Sequence, residues 1–249
     1  MGLLDLLFNG AGNGISKIEL FSYLISASVV VFIVMPVHEY AHAFAANKLG
    51  DPTARYQGRL TMNPMAHIDY FGALMIYLVG FGWARAVRVD SRYFDKPKRD
   101  MALTAFAGPL SNLCFAFCAS ILISASEFII LKTDISFDYF MFLTGQMPDN
   151  FFKLLFFFVV LILQYVRAIN ISLALFILIP IPPLDGSKVL FAILPDRYYW
   201  KIMHYERYFS IILMVIILMI SRTGVFGTVI YNVESVFDYV TWFPFDFFI

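Results

Sequence analysis

The chain has 249 residues, 60% of them hydrophobic and only 14% charged, where an ordinary soluble domain carries roughly 25% charged residues. A mean hydropathy of +0.75 therefore points to a membrane protein. Lysine plus arginine and aspartate plus glutamate each count 18, so no net basic field exists to hold phosphates, and DNA and RNA are excluded as partners.

The opening Met1-Gly2-Leu3-Leu4-Asp5 lacks the basic region, short apolar core and cleavage site of a removed signal peptide. The first apolar stretch, about 21–46, is expected to stay as a spanning helix. Further apolar stretches follow at about 70–84, 101–131, 151–180 and 208–231, with an aromatic segment to Ile249. Short basic connections stay in the cytoplasm. Lys48, Arg55 and Arg59 mark one such connection, and Arg85, Arg88, Arg92, Lys96, Lys98 and Arg99 mark a second. Segment 132–150, with one lysine and three aspartates, is expected outside; the stretch after Asp185, with Lys188, Arg197, Lys201 and Arg207, is expected inside.

Stretch 70–84 has 15 residues, short of the ~20 that a span needs, and contains Gly72, Gly80 and Gly82. A re-entrant or β-hairpin-like element is expected there, which keeps both flanking basic segments on one side. The chain thus reads as one all-α polytopic membrane domain, with a core at about 20–190 and C-terminal membrane segments at about 205–249. Ser221, Arg222 and Gly224 interrupt the last run and leave the number of spans after Tyr208 open. Cys114 and Cys118, four apart in an apolar run, read as small packing residues. Asn63-Pro64 and Gly108-Pro109 read as turn and helix-start chemistry, and Arg167 as an interfacial, snorkelling side chain.

The first span ends VMPVHEYAHAFAANKLGD over residues 34–51. His38 and His42 are i and i+4, so their imidazoles share a helix face, with Glu39 beside them. Two histidines and a glutamate in an apolar helix are costly to bury and normally line a cavity. A catalytic zinc takes three protein ligands and leaves a position for water, so a third ligand is required. His67 and His204 are the remaining histidines. Among the carboxylates Asp185 stands out, because it follows Pro180-Ile181-Pro182-Pro183-Leu184 at the end of a long apolar helix. The charge rule puts that helix end and the end of the first span on the same cytoplasmic side, provided that stretch 70–84 does not cross. The competing reading of Asp185 is a solvated aspartate in a Leu-Asp-Gly bend.

At these residues the chain resembles the site-2 proteases, which are intramembrane zinc metalloproteases. HEYAH at 38–42 is similar to the family's HExxH helix and PIPPLDG at 180–186 to its Leu-Asp-Gly motif. GRLTMNPMAHID at 58–69 and AGPLSN at 107–112 are similar to the short, compact branch found in bacteria and archaea. The resemblance covers about 31–190. It implies one zinc ion per chain held by His38, His42 and Asp185, with Glu39 as the base that activates water. It also implies a multi-pass protein of the cell membrane, an active site near the cytoplasmic side, and transmembrane proteins as substrates. One departure stands out: the family usually has an asparagine eight residues before the aspartate, and here that position is Ile177. Such an amide binds substrate or stabilises an oxyanion, a contribution of about 3 kcal/mol. Asn170, about two turns or ~10 Å away along the helix, is a poor direct substitute. His67 is a second candidate donor, and Asn112 is placed to hydrogen-bond across helices and orient an active-site group.

A transmembrane helix must unwind locally before its carbonyls can be attacked. Segment 70–84 followed by Val87 to Val89 offers a strand edge for pairing with such an unwound stretch. The polar loops are too short for a PDZ or nucleotide-sensing domain, so selectivity is expected from the membrane core, from a regulatory membrane partner or from a homo-oligomer. The competing function is a non-catalytic zinc-binding scaffold, favoured by Ile177 and opposed by the intact Glu39. A secondary transporter would show repeated halves, and none is visible.

Overall fold

Proline inside a long helix removes a backbone donor and crowds the preceding turn. The first span shows how that is accommodated. In the computed structural model, which describes Leu3 and residues 17–80, 82–133, 135–144, 146–194 and 225–244, α1 (Lys17–Val29) passes through a π turn at Val30–Val34 into α2 (Met35–Lys48). The N–H of Met35 reaches back to the Val30 carbonyl, which widens the ladder by one residue just ahead of Pro36. HEYAH follows immediately on α2.

The chain leaves α2 through Asp51, an acidic side chain that is fully buried. Its Oδ1 accepts the N–H of Thr53 at 2.9 Å and its Oδ2 the N–H of Asp90 at 2.8 Å. Two short helices follow, α3 (Thr53–Tyr56) and α4 (Pro64–His67). Asn63 caps α4 by accepting the Met65 N–H at 3.1 Å, with Pro64 at its first turn, in keeping with the helix-start reading.

α5 (Tyr70–Val79) is capped by Asp69, whose Oδ1 accepts the Gly72 N–H at 2.8 Å. Its 10 residues rise about 15 Å, half of a ~30 Å hydrocarbon core. The chain turns at Gly80 and returns as an extended segment, 82–90, against α5. Gly72 and Gly82 meet backbone to backbone there, since a β-carbon on either would collide with the other strand of the turn. Among the described residues there is no paired strand, so the β-hairpin-like expectation is not borne out; a short helix with an extended return stands in its place. That return is held by three backbone donors: Arg85 N–H to the His67 carbonyl at 2.8 Å, Val87 N–H to Glu39, and Asp90 N–H to Asp51.

α6 (Pro97–Lys132) is a 36-residue helix. It begins before the expected apolar stretch, and Gly108-Pro109 lies inside it rather than at its start, a correction to the helix-start reading. α7 (Ser136–Leu143) leads to α8 (Phe151–Ile177), capped by Asn150, whose Oδ1 accepts the Phe152 N–H at 2.8 Å. Prolines 180, 182 and 183 stop the helix, and α9 (Asp185–Ile193) restarts with Asp185 in its first turn. α10 (Val225–Trp242) is the last described helix. Ile18–Lys48, Pro97–Lys132 and Phe151–Ile177 are each long and apolar enough to cross a membrane. The protein is accordingly an all-α membrane protein among its described residues. His204 and most of stretch 208–231 lie outside them.

α6 is the central element, packed against α2, α8, α9 and α10. One core cluster joins Tyr23, Ala27, Val30, Val31 and Val34 to Ile76, Ile169 and Leu173. The Tyr23 hydroxyl donates to the Ile76 carbonyl at 2.6 Å, fastening α5 to α1. Arg167 departs from the snorkelling reading. It sits ten residues inside the end of α8, is 11% exposed, and pairs with Asp238 and, at 3.7 Å, with Glu234 of α10. A charge in the middle of an apolar helix needs such a counter-charge.

Candidate metal centre

α2, α6 and α9 converge on one point. His38 Nε2 and His42 Nε2 are 3.1 Å apart, and Asp185 Oδ2 lies 3.0 Å from His42 Nε2 and 3.9 Å from His38 Nε2. These ligand atoms all fall within 4.8 Å of one another, close enough to share a metal ion. The two histidines are one helical turn apart, while Asp185 comes from 143 residues further along the chain. α5, with 10 residues, is shorter than the ~20 that a span needs, as the charge argument for this convergence requires.

The donor set suits zinc: two imidazoles and a carboxylate. The orientation of one imidazole supports this further. His42 Nδ1 donates to the Thr104 carbonyl at 2.8 Å, which assigns the proton to Nδ1 and leaves Nε2 free as a ligand. Asp185 divides its oxygens, with Oδ2 toward the histidines and Oδ1 accepting from Lys188 Nζ at 2.9 Å, one turn along α9. Gly108 is what lets α6 approach: a β-carbon there would run into both imidazole rings.

Glu39 is buried, 7% exposed. Its Oε2 accepts the backbone N–H of Val87 at 2.9 Å, which leaves Oε1 uncommitted. A cavity of about 310 Å³ opens beside it, lined on its apolar side by Met35, Trp83, Leu173, Phe176, Ile177 and Leu184. A smaller cleft of about 50 Å³, bordered by Thr104, Met101 and Val89, meets it at Glu39, Ala86, Asp185 and Lys188.

Of the accessory candidates, Asn112 lines the larger cavity and is 1% exposed. Asn170 and His67 do not line it. Asn170 is fully buried between helices with its Nδ2 donating to the Val166 carbonyl at 2.8 Å. His67 donates from Nε2 to the Thr61 carbonyl at 2.8 Å, and its burial lowers its pKa, so the ring is neutral and serves the loop. Ile177 does face the cavity. Sequence reasoning missed Thr104 altogether, and it named Gly108, Val87 and Lys188 without their roles here, as helix clearance, donor to Glu39 and partner of Asp185. Only Lys188 carried a signal, its i+3 spacing from Asp185 on a helix.

The sequence model of Peptidase family M50 matches residues 26–221. A protein of Bacillus subtilis (strain 168) named "Putative zinc metalloprotease YwhC" is 36% identical over 199 residues, covering 80% of this chain and 81% of that protein. No solved structure gives a significant match to the chain. The chain belongs to peptidase family M50, the site-2 protease family, and is a membrane metalloprotease of that class.

Proposed function

We propose that the protein is a single membrane-embedded zinc endopeptidase that cuts transmembrane segments of other membrane proteins near the cytoplasmic face of the cell membrane. The observation that carries this reading is the meeting of His38, His42 and Asp185 beside a carboxylate, Glu39, that is anchored by Val87 and does not join the ligand group. One zinc per chain would be held by His38, His42 and Asp185. Zinc in such a site brings the pKa of a bound water to about 7 and polarises a carbonyl oxygen.

The chain's own groups do the rest. Glu39, fixed through Oε2, presents Oε1 to take the proton of the attacking water and to return it to the leaving nitrogen. The extended return places Val87 N–H inward. Along an extended chain successive groups point to opposite sides, so the N–H groups of Ala86 and Arg88 face the other way, and neither makes a hydrogen bond among the described residues. This shifts the pairing edge from Val87 and Val89 to Ala86 and Arg88. An unwound substrate segment laid along that edge passes Glu39 and Asp185, because Ala86 borders both cavities.

Metal content of the detergent-purified protein, beside an Asp185→Ala variant, tests the site. One zinc per chain in the wild type and its loss in the variant is expected. Glu39→Gln is expected to keep the metal and abolish cleavage of a reporter transmembrane protein; full cleavage by that variant would remove Glu39 from the mechanism.

A further inference from the structure

α2 and α6 run antiparallel across the candidate centre, so stepping back from His42 to His38 on α2 means stepping forward from Thr104 toward Asn112 on α6. Thr104 serves His42 with its carbonyl at 2.8 Å. Gly108 stands in the corresponding place with its carbonyl toward His38, and the Asn112 side chain faces the same ring from one turn further along α6. His38 is 6% and Asn112 1% exposed. His38 Nδ1 and Asn112 Oδ1 are nevertheless both shielded from water and both without a hydrogen-bond partner.

Buried polar atoms are nearly always paired, and leaving one unpaired costs about 1–3 kcal/mol. An amide oxygen can only accept, whereas an imidazole nitrogen carrying its proton donates. Two facing orphans of complementary kind therefore define one bond, closed by a small rotation of the ring or of the amide. Histidines that bind metals through one nitrogen almost always donate from the other. His42 already does so through α6, and among the described residues only Asn112 offers His38 a side-chain acceptor.

We propose that Asn112 is the positioning residue for His38: its Oδ1 accepts the Nδ1–H, which fixes the tautomer with Nε2 free and aims that nitrogen at the ion. α6 then orients both imidazoles, one with a backbone carbonyl and the other with a side chain. This rests on the zinc reading of the site. Asn112 is not a group that touches substrate in this role, so its signature is in metal binding and not in the chemical step.

The test is zinc affinity of the full chain in detergent, measured by competition with a chromophoric chelator, for the wild type, Asn112→Leu and Asn112→Asp. Asn112→Leu keeps the bulk without the acceptor and is expected to weaken zinc about 10–100-fold. Asn112→Asp keeps an oxygen in place and is expected to recover most of that loss. Melting temperatures without zinc separate a lost fold from a lost bond. If Asn112→Leu does not fold, ¹⁵N-histidine labelling of the zinc-loaded wild type decides instead, with His38 expected as the Nδ1–H tautomer in a slowly exchanging hydrogen bond. The proposal is overturned if Asn112→Leu binds zinc as tightly as the wild type, if Asn112→Asp is as weak as Asn112→Leu, or if His38 proves to be metallated through Nδ1. Those results leave the zinc site standing, with the Gly108 carbonyl as the acceptor. A wild type that binds no zinc overturns the site and this proposal together.

Discussion

Val87 donates its backbone N–H to Glu39 Oε2 across 2.9 Å, so the extended return after α5 and the HEYAH helix are joined at the carboxylate proposed as the base. Replacing Val87 by proline deletes that donor. A single hydrogen bond to a charged group contributes about 1.5–3 kcal/mol, so kcat is expected to fall roughly 10–100-fold with zinc content unchanged. Proline at Ala86 removes an outward donor instead and is expected to raise KM for a transmembrane reporter while leaving kcat nearly intact. Equal effects of the two prolines would show that 82–90 is only a connection.

Lys188 neutralises the oxygen of Asp185 that turns away from the histidines. In Lys188→Met that oxygen swings free, and zinc affinity is expected to drop about 10–100-fold, as for other supports of metal ligands. Lys188→Arg is expected to retain most of the affinity. Chelator competition reads both.

Gly108→Ala places a methyl group against both imidazoles. Overpacking of this kind costs about 1–3 kcal/mol, and here it either spreads α2 from α6 or turns the rings. The expected result is zinc below one per chain together with a lower melting temperature. Gly227→Ala serves as a control, since a β-carbon there meets nothing.

Arg167 holds two carboxylates of α10 from the middle of α8. Arg167 is largely buried while its carboxylates are partly exposed, so Arg167→Leu removes the link without stranding a deeply buried charge, and it is expected to loosen α10. Faster proteolysis after residue 225 in micelles would report it. Asp238→Asn is expected to be milder, because that side chain is 49% exposed and Glu234 remains.

The spans, HEYAH and Asp185 were legible because each is written locally: apolar length, an i,i+4 pair, and an aspartate after a proline run. Their meeting followed from charge bias alone. The part of Thr104, and that of Val87 beyond the strand edge read for it, were invisible, since what they contribute is a backbone carbonyl and a backbone N–H, which any residue carries. Gly108 was readable as a glycine but not as a clearance, because clearance belongs to a pair of helices. Asn170 and Asn112 looked alike in sequence, each an amide in an apolar helix. Packing alone put the first between helices and the second on the cavity. Arg167 was misjudged because its counter-charges lie some seventy residues away.

The π turn at Val30–Val34 sets a phase. One extra residue in a helix of 3.6 per turn rotates everything beyond it by about 100°. Ahead of it, Ser26 looks toward α8 and reaches the Ile162 carbonyl at 3.2 Å; beyond it, His38 and His42 look toward α6 and α9. Deleting any one residue of 30–34 would restore a regular helix and swing the histidines out of line with Asp185, whereas exchanging Val for Ile within it would not. In this span residue count is thus held more tightly than residue identity, and insertions or deletions weigh more than substitutions.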